Sequence, residues 1–257
     1  MAEKVVKFEQ DGPMGIITLN RPGQKNAITA EMAAELGEIA DIIGWDSEVS
    51  VLVLTGAGEK AFCAGTDSEE ISSYTGREEF VSRLSAASII GSFNRPVIAA
   101  INGDAIGQGL ELALASDIRV CAEKARLALP QITDNDIPWD GGTQRLARLV
   151  GVSKAMEMIL MGESVDSQEA LRIGLVNRVV PSKNVMETAI SLARELAAKG
   201  PIALRLVKEA VYKGLDMTLA QGLLFEADLY FLLHTTKDRT EGIKAYQEKR
   251  KPHFEGK

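Results

Sequence analysis

Five short runs, GIITL (15–19), VSVLVLTG (49–56), PVIAAING (96–103), DIRVCAE (117–123) and RLAL (126–129), are rich in apolar and β-branched residues and are bounded by Gly, Pro or Asn. VLVL and VIAAI are apolar with almost no alternation, so strands built from them must be covered on both faces. Between the runs, TAEMAAELGEIADII (29–43) opens on Thr29, a good N-cap, and REEFVSRLSAASIIGSF (77–93) repeats apolar residues at helical spacing. Strands alternating with helices predict an α/β fold. From about residue 142 the pattern turns to helix almost alone, through TQRLARLV, SKAMEMILMG, SQEALRIG, VMETAISLARELAAKG, IALRLVKEAVYKG and a long stretch over 217–233. Gly162, Gly174, Gly200 and Gly214 stand where those helices should stop.

The chain has 257 residues, 46% of them hydrophobic and 25% charged, enough to bury a sizeable core. Its net charge of -7, with a basic cluster only in the tail EKRKPHFEGK, argues against nucleic acid or an anionic membrane as partner, since either needs a basic footprint. Cys63 and Cys121 make no disulfide framework and share no metal-ligand spacing with His234 and His253, so no metal is expected and a reducing, cytoplasmic setting is the simplest reading. MAEKVVKFEQDG carries charge where a signal peptide needs an apolar stretch, and no run of 18 apolar residues occurs.

Three glycine-bearing segments follow strands: KAFCAGTDSEEI (60–71), INGDAIGQGLELALASD (101–117) and PWDGGTQRL (138–146). In the second, a small-residue turn leads into a helix containing Glu111, so free N–H groups at the helix start suit a developing negative charge. GQGLEL lacks the third glycine and the distal acid of a dinucleotide fingerprint, and that reading is rejected. Cys63 has no His near it in sequence and is read as packing.

The segments GIITLNRPGQKNAITAEMAAEL, VLTGAGEKAFCAGTD, RPVIAAINGDAIGQGLELALASDIRV, DGGTQRLARLVG, SVDSQEALRIGLVNRVVP and DRTEGIKAYQEKRKPHF, in that order, resemble the crotonase, or enoyl-CoA hydratase/isomerase, superfamily from about residue 5 to the C-terminus. The resemblance implies a crotonase-like spiral of strand-strand-helix turns over residues 1–200. It implies a helical region over 201–257 that assembles a homotrimer or a dimer of trimers. It also implies an acyl-CoA thioester as substrate, with no further cofactor, and an enolate held by two backbone N–H groups, which match Thr66 in CAGTD and Gln108 in IGQGLE. For the CoA, Lys25, Asn26 and Ala27 match the nucleotide-lining segment, Ala64 and Asp67 are expected among the substrate- or CoA-binding residues, and Tyr246 and Lys249 match C-terminal positions that reach the CoA. Glu69 stands where such hydratases commonly place a basic residue.

A hydratase of this kind uses two glutamates. The first matches Glu111, the only ionisable residue in LELALAS, whose burial should raise its pKa and favour proton exchange. The second falls in ALPQI, where this chain has Gln131, and an amide holds water but cannot exchange its proton near neutral pH. The following TDNDIPWD supplies three aspartates and a tryptophan. Asp140 is the leading stand-in for the missing acid or base, against the simpler reading that it caps the helix behind it; Asp134 and Asp136 are read as solvated. Trp139 is placed to close an acyl pocket.

The expected activity is therefore hydration of an enoyl-CoA, with a cyclic or conjugated acyl group implied by the altered loop. Isomerisation, ring-opening hydrolysis, decarboxylation and dehalogenation share the same enolate and stand as alternatives, and a catalytically silent CoA- or RNA-binding relative is the third reading.

Overall fold

The computed structural model describes residues 4–44, 48–71, 74 and 76–257. Apolar runs build a six-stranded sheet from β1 (Val6–Asp11), β2 (Met14–Leu19), β3 (Val51–Gly56), β5 (Val97–Ile101), β7 (Ile118–Ala122) and β10 (Arg178–Val180), hydrogen-bonded in that order. β1 and β2 are antiparallel and the remaining pairs parallel. Every residue of β3 and β5 is buried, as their unbroken apolar character requires. A second sheet takes the short strands β4 (Ala61–Cys63), β6 (Asp104–Ile106), β8 (Arg126–Ala128) and β9 (Val165–Asp166).

The chain alternates between the sheets. Each turn lays one strand in the first sheet, one in the second, then a helix: β3 and β4 precede α2 (Ser68–Ile71), α3 (Arg77–Leu84) and α4 (Ala86–Ser92), and β5 and β6 precede α5 (Gln108–Ala115). β7 and β8 lead to α6 (Gly142–Val150) and α7 (Val152–Met161). This is the spiral of strand-strand-helix turns, and because β4, β6 and β8 run parallel it gathers the loops after them at the C-terminal ends of those strands. α1 (Ala30–Ile43) starts at the expected cap, Met32 N–H donating to Thr29 Oγ1 at 3.2 Å. α8 (Ser167–Arg172) and α9 (Val185–Ala197) follow, α9 lying across β3, β5 and β7.

Two differences from the sequence reading matter. β1 lies in the charged N-terminal stretch, where an edge strand needs apolar residues on one side only: Val6 is buried while Glu9, Gln10 and Asp11 face out. The helix expected over 77–93 is two helices, broken at Ser85 (φ -70, ψ 53), and the break exposes a fresh set of N–H donors at the start of α4. The C-terminal segment forms α10 (Pro201–Gly214), α11 (Leu219–His234) and α12 (Lys237–Gln247). Neither α10 nor α11 buries any residue within one chain. No helix among the described residues is long and apolar enough to cross a membrane.

Candidate active site

The stacked loops bring three glycine-bearing segments together. Gly65 (φ 102) and Gly107 (φ 56) both take backbone conformations that favour glycine, and they abut: a Cβ on Gly65 would lie 3.1 Å from Ile106 O and 3.6 Å from Gln108 N. Thr66 pairs in parallel with Ile28, Ile28 N–H donating to Gly65 O (2.8 Å) and Asp67 N–H to Ile28 O (2.8 Å), a pattern that does not use the Thr66 N–H. Gln108 is the first residue of α5, where amides lack an intrahelical acceptor. Among the described residues, neither the Thr66 nor the Gln108 N–H finds a backbone acceptor. Their side chains meet as well, Thr66 Oγ1 donating to Gln108 Oε1 at 2.8 Å.

One turn further along α5, on the same face as Gln108, stands Glu111, with no exposed surface. Its Oε1 accepts from Gly142 N–H (2.7 Å) and Asp140 N–H (2.9 Å), while Oε2, also buried, has no partner. Burial pushes the Glu111 carboxyl up, the Asp140 carboxylate adds to that, and the two N–H donors and Arg145 pull the other way; the net result is about 7 against an ordinary 4.5. A second unpartnered buried acceptor, Gln131 Oε1, belongs to the side chain whose Nε2 would lie 3.7 Å from a Cβ on Gly107. Two orphan acceptors and two amides without acceptors are the groups that a molecule both donating and accepting hydrogen bonds would satisfy.

Residues 9–257 match the family model for enoyl-CoA hydratase/isomerase. The chain belongs to the enoyl-CoA hydratase/isomerase family. It is 40% identical to the 2,3-dehydroadipyl-CoA hydratase of Escherichia coli (strain K12), covering all of both chains. It is also 40% identical to the mitochondrial enoyl-CoA hydratase of Pongo abelii, over 96% of this chain and 86% of that one. A solved enoyl-CoA hydratase from Bacillus anthracis superposes with a TM-score of 0.94 at 42% identity, covering 98% of this chain and all of the other. These relatives support a hydratase-like enzyme of crotonase fold.

The hydrogen bonds of Asp140 are those of a structural carboxylate and not of the expected stand-in acid or base. Its buried carboxylate accepts from Ala87 N–H (2.7 Å), Ser88 N–H (3.0 Å), Ser88 Oγ (2.6 Å) and Gln108 Nε2 (2.9 Å). The simpler reading is corrected too. Asp140 caps a helix, but it is α4, across the fold, and not α6 behind it, whose N-cap is Gly141 with no side-chain bond. Asp134 and Asp136 are exposed, as expected.

In the CoA segment, Asn26 is corrected from ligand to scaffold: it is fully buried, Nδ2 donates to Ala57 O and Ala61 O (3.0 Å each), and Oδ1 accepts from Arg21 N–H (3.0 Å). Asp67 likewise pairs with Arg21 (3.1 Å), whose Nη1 also donates to Ala27 O. Lys25 is exposed in a left-handed conformation (φ 51), and its carbonyl accepts from Ala64 N–H (3.0 Å), tying that segment to the Thr66 loop. Tyr246 and Lys249, at the end of α12 and beyond it, are exposed, and Lys249 N–H donates to Tyr246 O (3.2 Å).

The half-buried Trp139 ring packs on Phe80 of α3 (centroids 4.5 Å), and Phe80 meets Tyr74 edge-on (6.0 Å). Phe80, Ser88 and Arg145, whose Nη1 donates to Asp140 O (2.8 Å), were missed in the sequence because the partners of Phe80 and Ser88, Trp139 and Asp140, lie far along the chain and that of Arg145 sits in a turn of unreadable geometry.

Proposed function

We propose that the chain adds water across a 2-enoyl-CoA with Glu111 as the single proton carrier. The observation behind this reading is one buried carboxylate near neutral pKa, half satisfied and half unpaired, beside two amides without acceptors. The Thr66 and Gln108 N–H groups take the thioester oxygen. Water, oriented by Gln131 Oε1, attacks the β-carbon while its proton passes to Glu111 Oε2 and the π electrons move to the thioester oxygen as enolate. Glu111 then returns that proton to the α-carbon, so the carbonyl re-forms and the carboxylate is restored. Both new bonds form on the face that Glu111 commands. CoA release plays no part.

The pairing of Trp139 with Phe80 supports an acyl group with a flat, conjugated or cyclic portion, because aromatic faces reward planar contact. Val207, Leu224 and Phe231 on α10 and α11 are 64%, 70% and 70% exposed, and we assign this face to a homotrimer or a dimer of trimers, checked by light scattering. The test of function is incubation with a short 2-enoyl-CoA. Loss of the conjugated thioester absorbance without thiol release is expected; free CoA, or a shifted double bond with no 3-hydroxyacyl product, overturns hydration. Isomerisation is the second reading, since Glu111 as single proton carrier can also take a proton from one carbon of the enoyl chain and return it to another.

A further inference from the structure

We propose that Asp140 is a positioning residue that braces the two amide donors through the Gln108 side chain and couples them to Glu111. This rests on the reading of Thr66, Gln108 and Glu111 given above. Gln108, 1% exposed, is anchored at both ends of its amide: Oε1 accepts from Thr66 Oγ1, and Nε2 donates to Asp140 Oδ2 and to Leu84 O. Asp140, 2% exposed, holds the start of α4 with the same carboxylate and donates its own N–H to Glu111 Oε1.

One chain of hydrogen bonds therefore runs from the loop after β4, through the first turn of α5, to the loop before α6 and back to the proton carrier. Leu84 and Ala87 lie on either side of the break at Ser85, so the brace also fixes the α3–α4 junction and with it Phe80 in the aromatic wall. Main-chain donors stabilise an oxyanion only when held toward the position it will occupy. A side-chain amide with both hydrogens and one oxygen engaged holds its residue against rotation. Of the charged groups acting on Glu111, Asp140 raises its proton affinity and Arg145 lowers it.

The experiment compares Asp140→Asn, Gln108→Ala, which keeps the main-chain N–H, and the double variant. Each single change is expected to lower kcat about tenfold, as for a misaimed but retained hydrogen bond, with KM moving less than about threefold. The double variant should be no worse than the poorer single, because both cut one path. Asp140→Asn alone should move the ascending limb of the pH profile to lower pH, since it removes the nearby negative charge.

A second readout is the enolate fraction of bound acetoacetyl-CoA by ultraviolet difference spectroscopy, which should fall in both single variants. It reports on the amide donors whatever the reaction, so a wild-type protein that fails to hydrate but still binds enolate overturns the proposed function and leaves the brace standing. Losses that multiply in the double variant overturn the brace. So does a loss beyond about a thousandfold in Asp140→Asn with an unchanged enolate fraction, the mark of a proton carrier. Should either variant fail to fold, Ser88→Ala removes one Asp140 donor only; a smaller drop in enolate fraction is expected, and no drop refutes the proposal.

Discussion

Replacing Glu111 with Gln changes one buried group while keeping its hydrogen bonds, because Gln Oε1 can accept from Gly142 and Asp140 N–H and its amide nitrogen takes the place of the unpartnered Oε2. The stability consequence follows from the raised pKa. Below pH 4.5 native and unfolded chains are both protonated at this position. Between 4.5 and about 7 the unfolded chain releases the proton and the native chain keeps it, so stability falls as pH rises, and above 7 the loss is complete. A shift of that size corresponds to about 3 kcal/mol as an upper figure. Glu111→Gln lacks this dependence. Urea unfolding at fixed protein concentration should therefore show the wild type losing ground to the variant between pH 5 and pH 8, by a midpoint difference on the order of 1 M. The same variant should lose at least about a thousandfold in turnover, having no exchangeable proton. Parallel pH dependences for the two proteins would refute the burial argument, and retained turnover would refute the proton role.

With one proton carrier, kcat/KM should rise with pH to a plateau, half-maximal near 7, with no descending limb from a second acid; Gln131→Glu should convert this to a bell. Gly142→Ala would set a Cβ 2.9 Å from Glu111 Oε1 and 2.7 Å from Pro138 Cβ, so a drop in kcat together with about 1–3 kcal/mol of destabilisation is expected, read by steady-state kinetics and thermal unfolding. Trp139→Ala should shift kcat/KM toward bulkier acyl groups across an acyl-CoA panel while leaving binding of free CoA unchanged; an unaltered ranking would remove the aromatic wall from the acyl site.

Local pattern carried the alternation of strands and helices, the cap at Thr29 and the burial of Glu111, because each depends on residues within a few positions of one another. The glycine-bearing loops were legible for the same reason, whereas Gln131 in place of a second glutamate was legible only through the family resemblance. What Asp140 does was not. Its side chain turns away from its own helix toward donors at Ala87 and Ser88, which exist only because the helix over 77–93 breaks at Ser85, and no local signal reports a contact across 52 or 53 positions. Asn26 shows the same rule from the other side: the resemblance places it in a nucleotide-lining segment, and only the packed fold shows its side chain spent on the carbonyls of Ala57 and Ala61. Periodicity and capping are short-range energies that a chain displays along its length, whereas the assignment of buried donors to acceptors is a competition settled only when distant segments are packed together.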